Sequence, residues 1–246
     1  MKSLLVPVEK LQSSDRTAMY TLLQSHFQGI TWNAFEIDLE HKNWVLLLKD
    51  ETSNILKGFS TLKFCQKTVN GENVSVVYSG DTIVDPSAWS SPTLPQSWIA
   101  AINFLRHHYA VEKLYWLLIC SGFRTYRFLP VFWHNFYPRY NLQTPGEIAK
   151  IMGSLAKQYY GDFYQENHGI VRFPYPQTLR EGLIEVPSGR ETNPHVQFFL
   201  AKNPGHVNGD ELVCFTEINY DNLTRAGKRM WNTKSSLEIV PNYVSV

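Results

Sequence analysis

Residues 3–8 alternate weakly between apolar and polar positions and predict a short strand. The period then changes. In SSDRTAMYTLLQSHFQG, Met19, Leu22, Leu23 and Phe27 recur at helical spacing, with a start at Ser14 or Asp15 and a stop at Gly29. TWNAFEIDLEHK opens on Thr31, a capping residue type. Phe35, Ile37 and Leu39 leave its period ambiguous, but its brevity and charge select a second short helix. Strands follow. NWVLLLKDE predicts one, and residues 54–86 predict a hairpin with NGEN at its tip, since Asn-Gly favours positive backbone angles. SPTLPQSWIAAINFLRHHY predicts a helix: Pro95 suits its first turn, and Trp98, Ala101, Ile102 and Leu105 form one stripe. EKLYWLLICS is a continuous apolar run and reads as a central strand. FRTYRFLPVFWHNFYPR reads as a helix bent at Pro130.

The stretch from Tyr140 to Pro194 is less regular. TPGEIAKIMGSLAKQYYGDFY has a helical pattern, whereas RFPYPQ and VPSGRETNP carry loop residues. HVQFFLAKNPGHVNGDELVCFTEI predicts two strands joined by a turn rich in Pro, Gly and Asn, and NYDNLTRAGKRMW predicts a helix after them. No repeat, low-complexity tract or clear linker divides the 246 residues. Three cysteines, Cys65, Cys120 and Cys214, lie far apart without CxxC spacing, which argues for reduced, buried thiols rather than a disulfide framework or zinc site. The histidines show no HExxH spacing, so no metal site is expected. A net charge of +1 gives no global basic field for nucleic acid. Runs such as WVLLL are too short to span a membrane. The N-terminal apolar patch is interrupted by Pro7 and Glu9, reads as a strand rather than a signal peptide, and points to a cytoplasmic protein.

A strand, two helices, three antiparallel strands, a helix, a strand, a helix and a final strand pair: this order resembles the GNAT acyltransferase superfamily. The resemblance covers roughly residues 1–138 and 195–220, with an irregular, partly helical insertion at about 139–194. It implies an α/β fold, a mixed and mostly antiparallel sheet flanked by helices, within a single domain spanning 1–246. In that family the fourth strand ends in a loop and helix that bind the pantetheine pyrophosphate of an acyl-CoA, with the pattern Arg/Gln-x-x-Gly-x-Gly/Ala. The matching DPSAWSSPTLPQS has neither glycine and no leading Arg or Gln. A helix N-terminus still offers amides to an anion. Ser90, Ser91 and Thr93 add hydroxyls, and Ile83, Val84, Trp89 and Gln96 complete the implied cofactor-binding set. Trp89, Pro92 and Pro95 reduce the backbone donors. A donor with less phosphate suits such a loop: a fatty acyl group on an acyl carrier protein, whose pantetheine arm has one phosphodiester. Arg106, Lys113, Arg124, Arg127 and Arg139 are either the carrier's contacts or ordinary solvated charges.

Direct acyl transfer needs an amine near a thioester, a route for its proton, and donors for the oxyanion. The family places the backbone donors, and often the base, on the fourth strand, here VYSGDTIVDP. Gly80 permits a bulge. Asp81 is a carboxylate inside an apolar strand, either functional with a raised pKa or paired for structure. It is the candidate base or amine-orienting group. Tyr126 or Tyr137 is the implied proton donor to the thiolate, and His134 is either a base or a helix-surface histidine sharing a face with Arg127. Tyr78, Gly80, Trp98, Phe128, Phe132, Trp133 and Phe136 are the candidate substrate-binding residues; the aromatics line an acyl channel or simply pack the core.

The reduced loop, aromatic content and insertion are similar to GNAT-like enzymes of lipopeptide biosynthesis, which put fatty acyl groups on Lys or ornithine-type side chains of ribosomal peptides. The resemblance thus implies an N-acyltransferase with no tightly bound cofactor. Its implied co-substrate is an acyl-CoA or acyl-carrier-protein thioester, and its implied acceptor an amine, such as one on a peptide. Two alternatives stay open: a non-catalytic module binding acyl carriers or peptides, and a cysteine enzyme using Cys120, at the end of LYWLLIC.

Overall fold

The structure, a computed structural model, describes residues 1–186, 188–233 and 236–241. β1 (Lys2–Pro7) leads to α1 (Ser13–His26), β2 (Phe27–Gln28) and α2 (Trp32–Glu40). β3 (Trp44–Lys49), β4 (Leu56–Val69) and β5 (Glu72–Val84) form an antiparallel meander. α3 (Thr93–His108) carries the chain to β6 (Leu114–Cys120), which is parallel to β5. α4 (Phe123–Tyr126), α5 (Phe128–Phe132) and β7 (Phe136–Tyr137) follow. The insertion contributes α6 (Gly146–Tyr160), β8 (Tyr164–Gln165), β9 (Ile170–Val171) and β10 (Thr178–Leu179). α7 (Pro194–Lys202), β11 (Glu211–Glu217), α8 (Arg225–Asn232) and β12 (Leu237–Ile239) complete the order. The large sheet runs β12-β1-β3-β4-β5-β6-β11-β9-β8, with β7 also on β11, while β2 and β10 pair separately. The expected mixed, mostly antiparallel sheet flanked by helices is therefore present.

Period-two alternation along the central strands sends side chains to two differently covered faces. Trp44, Leu46, Leu62, Val77, Trp116 and Leu118 point to one face, where they meet the stripe Leu94, Trp98, Ala101, Ile102 and Leu105 of α3. The other face carries two separate apolar clusters. α1 and α2 cover Val45, Leu47, Phe59 and Ile83; α6 covers Val76, Tyr78, Leu117 and Phe215. The seam between these clusters crosses β5 between Tyr78 and Ile83.

Local signals explain most boundaries. Thr31 caps α2 by accepting the Ala34 amide at 3.2 Å. Asn70 and Gly71 at the hairpin tip have φ of 52° and 83°. Two expectations fail. HVQFFLAK is the helix α7, not a strand: Asn193 accepts amides from His195 and Val196 at 3.0 and 3.3 Å, and Pro194 occupies its first position. Its Val196 and Phe199, three apart, are the buried pair. The final strand pair thus reduces to β11, while β12 joins the opposite sheet edge beside β1. The expected single helix bent at Pro130 is instead two, α4 and α5, divided at Arg127, with Pro130 inside α5. The chain turns extended at Trp133, so His134 lies beyond the helix and shares no helical face with Arg127.

α8 fastens this region. Thr224 Oγ1 accepts the Gly227 amide at 3.1 Å and donates to Val131 O at 2.6 Å. A Cβ at Gly227 would strike the Phe132 carbonyl oxygen. Gly227→Ala is expected to lower stability by about 2 kcal/mol through this overpacking; an unchanged urea midpoint would show that α5 and α8 separate freely.

Candidate functional site

β5 and β6 pair from Ser75–Leu114 as far as Ser79–Leu118, and there their register ends. β5 continues to Val84 and β6 to Cys120, so their facing edges open into a gap. The β4–β5 register shifts at the same level. Ser60 opposes Thr82 and Leu62 opposes Ser79, leaving Thr61 alone against Gly80 and Asp81. This extra residue is a β-bulge, which bends and twists its strand. Gly80 is required for space: a Cβ there would lie 2.5 Å from Thr61 Oγ1 and 2.6 Å from Lys42 Cε.

On the α3 face the gap opens into a cavity of about 580 Å³, lined by β5, β6, α3, α4, α5 and parts of residues 179–190. Leu94, Trp98, Trp116, Leu118, Phe128 and Phe132 give it an apolar wall. Trp116 Nε1 donates to Ser79 Oγ at 2.7 Å, so this wall is fixed to the strand at the gap. Trp89 Nε1 donates to Val84 O at 2.8 Å, and His26 Nε2 lies 3.1 Å from the same carbonyl.

The first turn of α3 makes a poor anion cradle. Thr93 N–H is taken by Ser91 Oγ at 3.2 Å, Pro95 has no N–H, and Gln96 N–H closes on Pro92 O at 3.1 Å. Ser91 and Thr93 also bond each other, Oγ to Oγ1 at 2.7 Å. Of the proposed cofactor-binding residues, Ile83, Val84, Trp89 and Ser91 line the cavity; Ser90, Thr93 and Gln96 do not.

On the opposite face, at the seam between the two apolar clusters, Asp81 is half-buried. Burial and the neighbouring Asp38 carboxylate raise its pKa to about 7, against a smaller lowering by Lys42. Lys42 is buried and donates to Asp38 Oδ1 at 2.6 Å and Asp38 O at 3.1 Å, with Nζ 5.3 Å from the Tyr78 ring centre. Asp81 is thus not paired with an arginine. Glu211, at the start of β11, belongs to the same group. Burial raises its pKa to about 8, a hydrogen bond from Ser121 at 3.1 Å opposes this, and Asp81 and Asp38 add to it. Tyr160 Oη, from α6, is buried without a hydrogen-bond partner, its ring 6.2 Å from that of Tyr78. Ser121 connects the two faces, since it also lines the cavity.

The remaining candidates fall elsewhere. Tyr126 is buried against Phe136 and Phe199 and donates to Pro138 O at 2.9 Å; burial drives its pKa up, and it does not line the cavity. Tyr137 pairs with Phe215 in β7 and faces a separate hollow of about 350 Å³ beside Asn135 and Asn222. His134 is exposed, and its N–H and carbonyl are engaged by Asn222 and Arg139. None of these three reaches the gap. Among the substrate candidates, Gly80, Trp98, Phe128 and Phe132 line the cavity, and Tyr78 is on the acidic face. Trp133 and Phe136 are core residues; Trp133 packs 5.0 Å from Trp116, centre to centre. Cys120 is buried 3.8 Å from Cys214, Sγ to Sγ, and burial pushes its thiol pKa up, which is the wrong direction for a nucleophile. Of the five basic residues considered, Arg124 and Arg127 line the cavity, whereas Arg106 closes on Val111 O and Glu112 O and Arg139 on His134 O. Sequence reasoning missed Glu211 and Arg190. Glu211 follows Gly209 and Asp210 and reads as part of a turn; Arg190 lies in a loop-rich stretch.

No protein-family model matches the chain, and no curated protein matches it. Solved structures do. An Escherichia coli GNAT family N-acetyltransferase in complex with CoA is 16% identical, over 52% of this chain and 68% of that one, with a TM-score of 0.38. Arabidopsis thaliana NAA60 in complex with a bisubstrate analogue is 13% identical, over 56% and 90%, at 0.40. Saccharomyces cerevisiae N-myristoyltransferase with bound myristoyl-CoA is 12% identical, over 49% and 31%, at 0.39.

The buried carboxyls set a pH dependence. Their folded pKa values, about 7 and about 8, exceed the ordinary 3.8 and 4.5, so the folded state holds more protons than the unfolded state between those limits. Their stabilising contribution is complete below about pH 4 and is lost as pH rises through 7 to 8. Glu211→Gln should therefore gain Tm over the wild type, by at least about 3 °C, on going from pH 6 to pH 9. A pH-independent difference in thermal unfolding would show that Glu211 is ordinarily ionised.

Proposed function

We propose that this protein is an N-acyltransferase that moves an acyl group from a pantetheine thioester to an amine. The observation that carries the proposal is the gap beyond Ser79 and Leu118, which joins an apolar cavity on one face to a half-buried carboxyl group, Asp81, on the other. The thioester enters from the cavity side, and the amine from the acidic side.

Attack requires a neutral amine, and Asp81, with a pKa near 7, is matched to take its proton. The amine nitrogen then bonds to the thioester carbon. Backbone N–H groups along the unpaired edge at 80–84 hold the developing oxyanion. Collapse breaks the carbon–sulfur bond and releases a thiolate. Ser121, which lines the cavity and is hydrogen-bonded to the protonated Glu211, offers a route for the proton that the thiolate takes up. The acid-rich seam favours an acceptor that arrives as a cation, such as a Lys or ornithine-type side chain of a peptide.

The apolar wall and the cavity's volume favour a long acyl chain over acetyl. Each methylene removed from water contributes about 0.8 kcal/mol, so kcat/KM should rise with chain length until the cavity is filled. The donor is an acyl-CoA or an acyl-carrier protein; neither is held as a tightly bound cofactor in this reading.

Asp81→Asn should lower the transfer rate at least about tenfold, while the wild type should lose rate below about pH 7 as Asp81 is protonated. Steady-state rates between pH 5.5 and 9 test both, and a wild-type profile in the variant would remove Asp81 from the chemistry. If the wild type turns over no acyl thioester with any of a panel of amines, the non-catalytic binding reading replaces the enzyme. Val131 lines the cavity from α5. Val131→Trp should shift the kcat/KM ratio toward short acyl chains by at least about tenfold, the effect of losing two or three buried methylenes. An unaltered chain-length profile would place the acyl chain elsewhere.

A further inference from the structure

The mouth of the large cavity carries three arginines, Arg124, Arg127 and Arg190. They come from α4, from the residue between α4 and α5, and from the insertion. Arg124 is held in place. It donates to Leu183 O and, at 3.4 Å, to Glu185 O. Its guanidinium carbon lies 5.1 Å from the Trp89 ring centre and 5.0 Å from that of Phe123. Arg127 and Arg190 differ: among the described residues, neither guanidinium has a hydrogen-bond or ion-pair partner. They are also close enough to disfavour each other's charge, since burial and Arg190 both lower the Arg127 pKa. Two unpaired, mutually repelling cations at the rim of an apolar cavity form a site that an anion would relieve.

We infer that Arg127 and Arg190 bind the phosphate ester of the donor's pantetheine arm through their side chains, replacing the backbone cradle that the loop before α3 does not form. The inference rests on the thioester reading of the cavity. That loop has no glycine, and the first turn of α3 has used or lost the amides of Thr93, Pro95 and Gln96. Guanidinium groups meet phosphate oxygens in bidentate geometry, which fixes orientation as well as charge. Two such groups match one phosphodiester. Trp89 contributes indirectly, by stacking on Arg124 and anchoring to Val84 O, so the rim is tied to the end of β5.

The test compares binding of 4′-phosphopantetheine and pantetheine, which differ only by the phosphate, using calorimetry on the wild type, Arg190→Ala and the Arg127→Ala/Arg190→Ala double variant. In the wild type the phosphate should strengthen binding at least tenfold at low salt, and this increment should shrink as salt rises. The double variant should lose the increment while binding pantetheine as before, which also reports that it is folded. Arg190→Ala, in an exposed loop, should lose part of it. Equal affinity for the two probes in the wild type, or an undiminished increment in the double variant, overturns the inference. Coenzyme A and a phosphopantetheinylated carrier protein, used as competitors, distinguish the sources of the arm; displacement of the probe by neither also overturns it. Transfer from an acyl-N-acetylcysteamine thioester, which has no phosphate, is measured in the wild type and reports the chemistry apart from the phosphate. Turnover of that donor with no phosphate increment leaves the acyltransferase reading standing and this site refuted; an increment without turnover does the reverse.

Discussion

β5 and β6 are parallel neighbours that share hydrogen bonds only as far as Ser79 and Leu118, and the placement of the surrounding groups follows from that limit. An extra residue in β5 at the same level bends the strand out of register with β4. The bend needs Gly80, because Thr61 Oγ1 and the Lys42 side chain fill the space that a Cβ would take. Buried backbone groups without partners are costly. Two strand edges left open inside a sheet therefore form a slot for a group with its own amides and carbonyl, the feature on which the pantetheine proposal rests. The occupied carbonyl of Val84, shared by Trp89 and His26, marks where this open edge ends.

The seam on the other face explains the electrostatics. α1 and α2 cover one part of the sheet and α6 another, and their apolar contacts do not merge. At this seam α2 and the turn after it bring Asp38 and Lys42 beside Asp81 of β5 and Glu211 of β11, three carboxyls against one ammonium. Lys42 is already committed to Asp38. Ionising Asp81 and Glu211 as well would bury uncompensated negative charge, so both hold their protons to unusually high pH. A cation brought to this seam would offset the carboxylates, which is the basis for proposing an amine acceptor there.

Much of this was legible in the chain, for specific reasons. The α3 stripe, the NGEN tip and the apolar β6 run each have one dominant period or turn signal, and the structure follows them. Gly80-Asp81 stood out because a glycine and a carboxylate interrupt an otherwise apolar strand, and the bulge lies there. Where apolar residues were contiguous, the period was mute: HVQFFLAK fits either strand or helix, and the Asn193 cap decides it. FRTYRFLPVFWHNFYPR misled in the same way, because its aromatics suggest one long helix, while the bond from Thr224 to Val131 O and the turn at Trp133 end it early. Tyr126, Tyr137 and His134 therefore lie in α4, in β7 and beyond α5 rather than on one helix. Glu211 could not be found from local pattern, because the groups that define its role, Ser121 and Asp81, lie 90 and 130 residues earlier in the chain.

The proposed chemistry also has to work with a loop that has no glycine. A backbone cradle requires close approach of the donor to the helix, and Trp89, Pro92 and Pro95 occupy that approach. Side-chain cations at the rim act from farther away and leave the apolar wall intact, so more of the binding free energy can come from the acyl chain. In the proposed reaction the cavity would select its donor mainly by length and by the presence of one phosphate, and the acidic seam would select the acceptor by charge. Those two selections would act on opposite faces that meet at the gap by Ser79, Gly80 and Ser121, so each could vary with little disturbance of the other.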